Sequence, residues 1–151
     1  MKDTIDDINP RKEWLGTLAK SPEGRVGALL DQVMARPDFT WLRMPEIGSV
    51  MVRGRAGATG SPFNLGEVTV TRCSLRLADG TVGHGYVQGR RKACAEAAAL
   101  VDALMQTENA ADIRVAVLNV LEAERTEART TRAAKAAATK VDFFTMVRGE
   151  D

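Results

Sequence analysis

The most constraining part of the chain is residues 65–106, where a strictly alternating run, a turn signal and an alanine-rich helical pattern follow one another. From Leu65 the segment GEVTVTRCSLRLADG alternates with the period of a strand, whose successive side chains point to opposite faces. Val68, Val70, Arg72, Ser74 and Arg76 fall on one face, and Glu67, Thr69, Thr71, Cys73, Leu75 and Leu77 on the other. Neither face is cleanly apolar, which predicts a bulge or a sheet packed on both sides. Asp79-Gly80 is a hairpin signal, and TVGHGYVQ (81–88) returns as the paired strand. Residues 90–106 then take the helical period. Cys94, Ala97, Ala98, Val101, Leu104 and Met105 form the core stripe, and Ala95, Ala99 and Ala103 soften the other faces. A helix apolar nearly all round is a buried one. The fold class is therefore α+β, a single domain built on a central antiparallel sheet.

The flanks are helical. Residues 1–10 read as a flexible tail ending at Asn9-Pro10, and 11–151 as one domain with a helical arm and a docking tail. RKEWLGTLAK (11–20) is the first of two short N-terminal helices. Ser21-Pro22 reads as the start of the second, serine capping and proline in the first turn, with an end near Arg36-Pro37. IGSVMVRGR (47–55) reads as a further strand and 58–62 as a loop. After a break at Glu108-Asn109, Ile113, Val117, Val120 and Leu121 open a long C-terminal helix. Beyond Leu121 it is alanine and charge, its acids preceding its bases in the order that suits the helix dipole. Such a helix has little to bury and reads as an arm. The final VDFFTMVRG carries Phe143, Phe144, Met146 and Arg148, either a docked strand closing the fold or a subunit contact.

Charge and cysteine content narrow the chemistry. With 21 basic and 20 acidic residues the net charge is +1, so any anion binding must be local. Cys73 and Cys94 are isolated, and with the single His84 they make no zinc motif. No run is long enough to span a membrane, and the acidic, polar N-terminus lacks a signal-peptide core, which reads as cytoplasmic. His84 has no relay partner nearby in sequence and reads as structural.

Three basic clusters remain. At the strand-to-helix corner, Gln88, Gly89, Arg90 and Lys92 place cations where free helical N–H groups attract anions; the alternative is a solvated helix start. Arg72 and Arg76 share one strand face and Arg53 and Arg55 another, so pairing of the two strands would converge four arginines on a polyanion, Glu67 being the one acid nearby. Arg125, Arg129, Arg132 and Lys135 share one face of the C-terminal helix, read as solvated or partner-facing. On these residues alone, a stand-alone module binding a nucleotide or RNA is an alternative to an assembly protein.

The strings RKEWLGTLAKS, GATGSPFNLGEVTVTRCSLRLADGTVGHGYVQGRRK, ALVDALMQ and KVDFFTMVRG, in this order from Arg11 to Gly149, resemble the PhnG family, the G subunits of bacterial carbon–phosphorus lyase systems. The likeness is weakest over 23–50 and 109–139. It implies a hetero-oligomer with PhnH, PhnI and PhnJ, and with PhnK as a further candidate, used in phosphonate catabolism. It implies a complex that transfers the ribose 5-triphosphate of ATP to methylphosphonate and releases adenine, with no cofactor of this chain's own, no nucleic acid and no membrane. The nucleosidase-type step falls to PhnI and the iron–sulfur radical step to PhnJ, and the resemblance assigns this chain no catalytic or metal residue. Family members often read Q-G-R-D-K-x-H-A-E at the corner; here Arg91 stands for the Asp and Cys94 for the His.

Overall fold

The computed structural model describes residues 9–141. Helices α1 (Pro10–Ala19) and α2 (Arg25–Val33) lead into strands β1 (Phe39–Arg55), β2 (Pro62–Leu77) and β3 (Val82–Gln88). Helix α3 (Lys92–Leu104) follows, then the short α4 (Ala110–Ile113), a π turn over Arg114–Leu118 and α5 (Asn119–Ala138). The sheet is antiparallel in the order β1-β2-β3, which bears out the α+β reading with two short leading helices and a long final one.

Asn9 caps α1 by accepting from the Arg11 N–H at 3.0 Å, and Pro10 occupies the first turn, where a missing N–H costs nothing. The start of α2 differs from expectation. Ser21 does not cap it; its buried hydroxyl donates to the Thr17 carbonyl at 2.8 Å and closes α1 instead. The chain then turns through Gly24, whose φ of 74° suits glycine, and α2 begins at Arg25. The cap signal was local, and burial of Ser21 redirected it.

Strand β1 starts at Phe39, eight residues before the expected Ile47; the bulge expected in β2 falls at Leu65, between the partners of Val52 and Arg53, and further bulges lie in β1. Its register shifts twice between Trp41 and Glu46, around Pro45, which cannot donate to a ladder and is tolerated because β1 is an edge strand. The 79–80 turn forms as expected, with Gly80 at φ 92°.

Helix α3 lies on the face carrying Cys73, Leu75 and Leu77 of β2 and Gly83, Gly85 and Val87 of β3, all buried. The approach of α3 to β3 is very close. A Cβ on Gly83 would stand 2.0 Å from the Ala99 carbonyl oxygen, and one on Gly85 2.0 Å from that of Ala95. Ala95, Ala99 and Ala103 thus form the face pressed onto the sheet, a correction to their reading as the softer sides. All three are fully buried. Helices α1 and α2 pack on α3, and Ile113, Val117, Leu118 and Leu121 bring the π turn and the root of α5 into the same core.

Past α3 the β1–β2 hairpin projects alone among the described residues. Ile47, Met51 and Leu65, which continue the face that α3 covers farther down, are 42%, 50% and 67% exposed. Helix α5 projects too: every residue from Arg125 to Ala138 is exposed. The expected arm is present, and within this chain it stands in solvent.

Candidate functional site

The β3–α3 corner is organised by one buried hydroxyl. Thr71 Oγ1 donates to the Gly89 carbonyl at 2.6 Å and accepts from the Arg91 N–H at 3.0 Å. Gly89, at φ 86°, donates its own N–H to the Thr69 carbonyl at 2.7 Å. Arg91 turns back over the corner: Nε donates to the Gln88 carbonyl at 2.8 Å and Nη1 to that of Ser21 at 3.4 Å. It is therefore a tie between the corner and the α1–α2 link. Arg90 and Lys92 are exposed, and among the described residues neither forms a hydrogen bond or ion pair. Helix α3 has no side-chain cap, so its first-turn N–H groups stay open beside these two cations.

The four strand arginines do not converge. Arg53 and Arg55 stand opposite Asn64 and Pro62, whereas Arg72 and Arg76 stand opposite Glu46 and Thr40. Eight residues of β2 separate Asn64 from Arg72, about 25 Å along an extended strand. The acid that sequence reading overlooked is Glu46, which the bulged register of β1 brings opposite Arg72. Its carboxylate accepts from Arg72 Nε at 2.6 Å and from Arg43 Nη1 at 2.9 Å. Hydrogen bonding from Arg72, with the charges of both arginines, holds the Glu46 carboxyl below its ordinary range.

His84 has a partner that linear reading missed: its Nδ1 lies 2.9 Å from Ser74 Oγ across the β2–β3 ladder. Asp102 is close by, but it accepts the main-chain N–H of His84 at 2.8 Å and has no bond to the ring. Ser, His and Asp are thus gathered without the ring-to-carboxylate link of a catalytic relay.

Asp102 anchors a larger cluster. It is fully buried and also accepts from Arg11 Nε and Nη2 (3.1 and 2.7 Å) and from Trp14 Nε1 (2.8 Å). Arg11 Nη2 and Gln106 Nε2 both donate to the Val82 carbonyl, at 3.2 and 2.9 Å. These groups engage the outer edge of β3, whose backbone would otherwise be open to another strand. The available signal was a lone acid in the apolar run AALVDALM.

Cys73 lies against Gly85, and burial pushes its thiol up to about 11. Among the described residues no group of three or more His, Cys, Asp or Glu is placed to hold a metal ion, and no helix is long and apolar enough to cross a membrane. Phe143, Phe144, Met146 and Arg148 lie outside the described residues.

Polar clusters that tie elements together, an overhanging hairpin with exposed apolar side chains and a projecting charged helix characterise this α+β domain. Residues 9–149 match the family model described as phosphonate metabolism protein PhnG. The chain is also 46% identical, over 98% of its length and 96% of the relative's, to the alpha-D-ribose 1-methylphosphonate 5-triphosphate synthase subunit PhnG of Rhizobium meliloti (strain 1021). The chain belongs to the PhnG family.

Proposed function

We propose that this chain is the accessory G subunit of an α-D-ribose 1-methylphosphonate 5-triphosphate synthase acting in phosphonate catabolism. The complex transfers the ribose 5-triphosphate of ATP to methylphosphonate and releases adenine. The observation that carries this reading is the 46% identity across nearly the whole chain to a subunit of that synthase. Its partners are PhnH, PhnI and PhnJ subunits, with PhnK as a further candidate, in a cytoplasmic hetero-oligomer. ATP is a substrate of the complex, and the chain carries no cofactor of its own. The apolar overhang at Ile47, Met51 and Leu65 supports a role exercised through contact with other chains, because apolar surface gathered in one place marks an interaction face.

Within that complex the β3–α3 corner is an anion contact, with Arg90 and Lys92 as its charges and Gln88 and Gly89 shaping it, whereas Arg72 stays outside it, bonded to Glu46 on the other face of the sheet; Phe143, Phe144, Met146 and Arg148 are partner contacts. Purification through a tag on this chain is expected to bring down PhnI-like and PhnJ-like partners; recovery of the chain alone sinks the reading. The double variant Arg90→Ala, Lys92→Ala is expected to assemble normally and to slow adenine release from ATP. Unchanged release would make the corner purely structural.

A further inference from the structure

Away from the corner, where α5 passes the link between α1 and α2, a cleft of about 480 Å³ opens. That is within the ~300–1,000 Å³ typical of small-molecule sites. Its cations are Lys20 from the link and Arg125, Arg129 and Arg132 from α5. The three arginines lie four and three residues apart on one helix face and span about 10 Å of rise. Ala128 sits among them and leaves the space open. Like charges at this spacing repel one another.

Nothing among the described residues compensates them. All four cations are exposed, and among the described residues none has a side-chain hydrogen bond or ion pair. The one carboxylate lining the cleft, Glu124, is already engaged: Arg25 donates to it from Nε (3.0 and 3.1 Å) and Nη2 (2.5 Å). We infer that this cleft is a binding site for a compact oligophosphate, free or carried on a nucleoside, held by Arg125, Arg129, Arg132 and Lys20. Guanidinium forks match phosphate oxygens two at a time, and three of them in a row suit a chain of linked phosphates. A nucleic-acid strand suits the cleft less well. No aromatic side chain lines it for base stacking, and a net charge of +1 gives no long-range pull on a polymer. The inference stands on this chain's own cleft and is titrated on the chain alone, so failure of the co-purification leaves it standing; only the measurement on the assembled complex rests on the subunit role proposed above.

The test is calorimetric titration of the full chain with inorganic tripolyphosphate, beside Arg129→Ala and Arg132→Ala. Alanine suits an exposed helix, so unchanged far-ultraviolet circular dichroism serves as the folding control. Saturable binding is expected, about tenfold weaker in each variant, as befits loss of a charged hydrogen-bond donor. Arg53→Ala, on the distant hairpin, is expected to bind like the parent. ATP should bind as tripolyphosphate does, since the phosphates are what is read; ATP binding without tripolyphosphate binding overturns the inference. So does no binding, equal binding in the variants, or displacement by an acidic peptide or an oligonucleotide at lower concentration. A second measurement uses the assembled complex: tripolyphosphate should protect Lys20 from acylation, read by mass spectrometry, and Arg129→Ala should abolish that protection. Absence of protection, or a Lys20 already unreactive because another chain fills the cleft, also overturns it.

Discussion

Asp102 collects four hydrogen bonds in a position closed to solvent, and Arg11 supplies the opposite charge. A buried carboxylate is stable only when paired and bonded in this way. Asp102→Asn keeps the shape but turns an NH₂ group toward donors. It is expected to lower the stability of the chain by about 3 kcal/mol, read as a reduced urea midpoint at unchanged slope. The two cysteines separate on the same principle of access. Cys73 is buried, with its thiol pushed up to about 11, whereas Cys94 is partly exposed. Iodoacetamide at pH 8 should therefore alkylate Cys94 in the native chain and reach Cys73 only in denaturant; peptide mass mapping decides it. Because Cys94 is partly exposed, its alkylation also reports on whether a partner covers this turn of α3.

The defining element contact is α3 on β3, where two glycines of one strand meet three alanines of one helix. Close approach lets the sheet and helix backbones touch, and any added methyl group collides with main chain that cannot rotate away. Gly85→Ala is expected to cost about 3 kcal/mol, because the nearest obstacle is the Ala95 carbonyl oxygen at 2.0 Å. Thermal unfolding of the variant checks this. Gly66→Ala, on the overhanging hairpin with nothing within 4 Å, is the natural control and should change little. Sequence patterning made both the strand and the helix legible, because period 2 and period 3.6 are local properties. The assignment of Ala95, Ala99 and Ala103 to the sheet side was not legible. An alanine carries no preference for one face of a helix that is apolar all round, and the choice follows from the glycines opposite.

At the scale of the whole molecule, ion pairs tie separate elements to one another. Arg25–Glu124 joins α2 to α5, Arg72–Glu46 joins β2 to β1, and Arg36 reaches from beyond α2 to Asp31 and to Glu96 of α3. Glu124, Glu46 and Asp31 are each held below their ordinary pKa, first by hydrogen bonds from Arg25, Arg72 and Arg36 respectively. A carboxyl whose folded value is depressed contributes stability that is complete above its unfolded value, about 4, and is lost as pH falls through the folded value. Acid titration should therefore loosen the arm and hairpin below about pH 4 rather than near neutrality. Protection at the root of α5, measured as hydrogen exchange relative to the intrinsic amide rate at each pH, is expected to fall over that range, and Arg25→Gln to show the lower protection already at pH 7. An arm equally protected at pH 7 and pH 3 would contradict this.

What the sequence determined by itself was the list of elements: alternation set the strands, Asp79-Gly80 set the turn, and the loss of large apolar residues after Leu121 set the arm. Its strings also placed the chain in its family before any distance was known. What only the tertiary structure decided was partnership. The bulged register of β1 brought Glu46 rather than Arg53 and Arg55 to Arg72, and the turn of α3 brought Asp102 to Arg11 across 91 residues. The crossing of α5 over the α1–α2 link gathered Lys20 with three arginines. The physical reason is range: periodicity and turn chemistry act over a few residues, whereas a salt bridge or a cleft depends on register and packing that the whole fold sets at once.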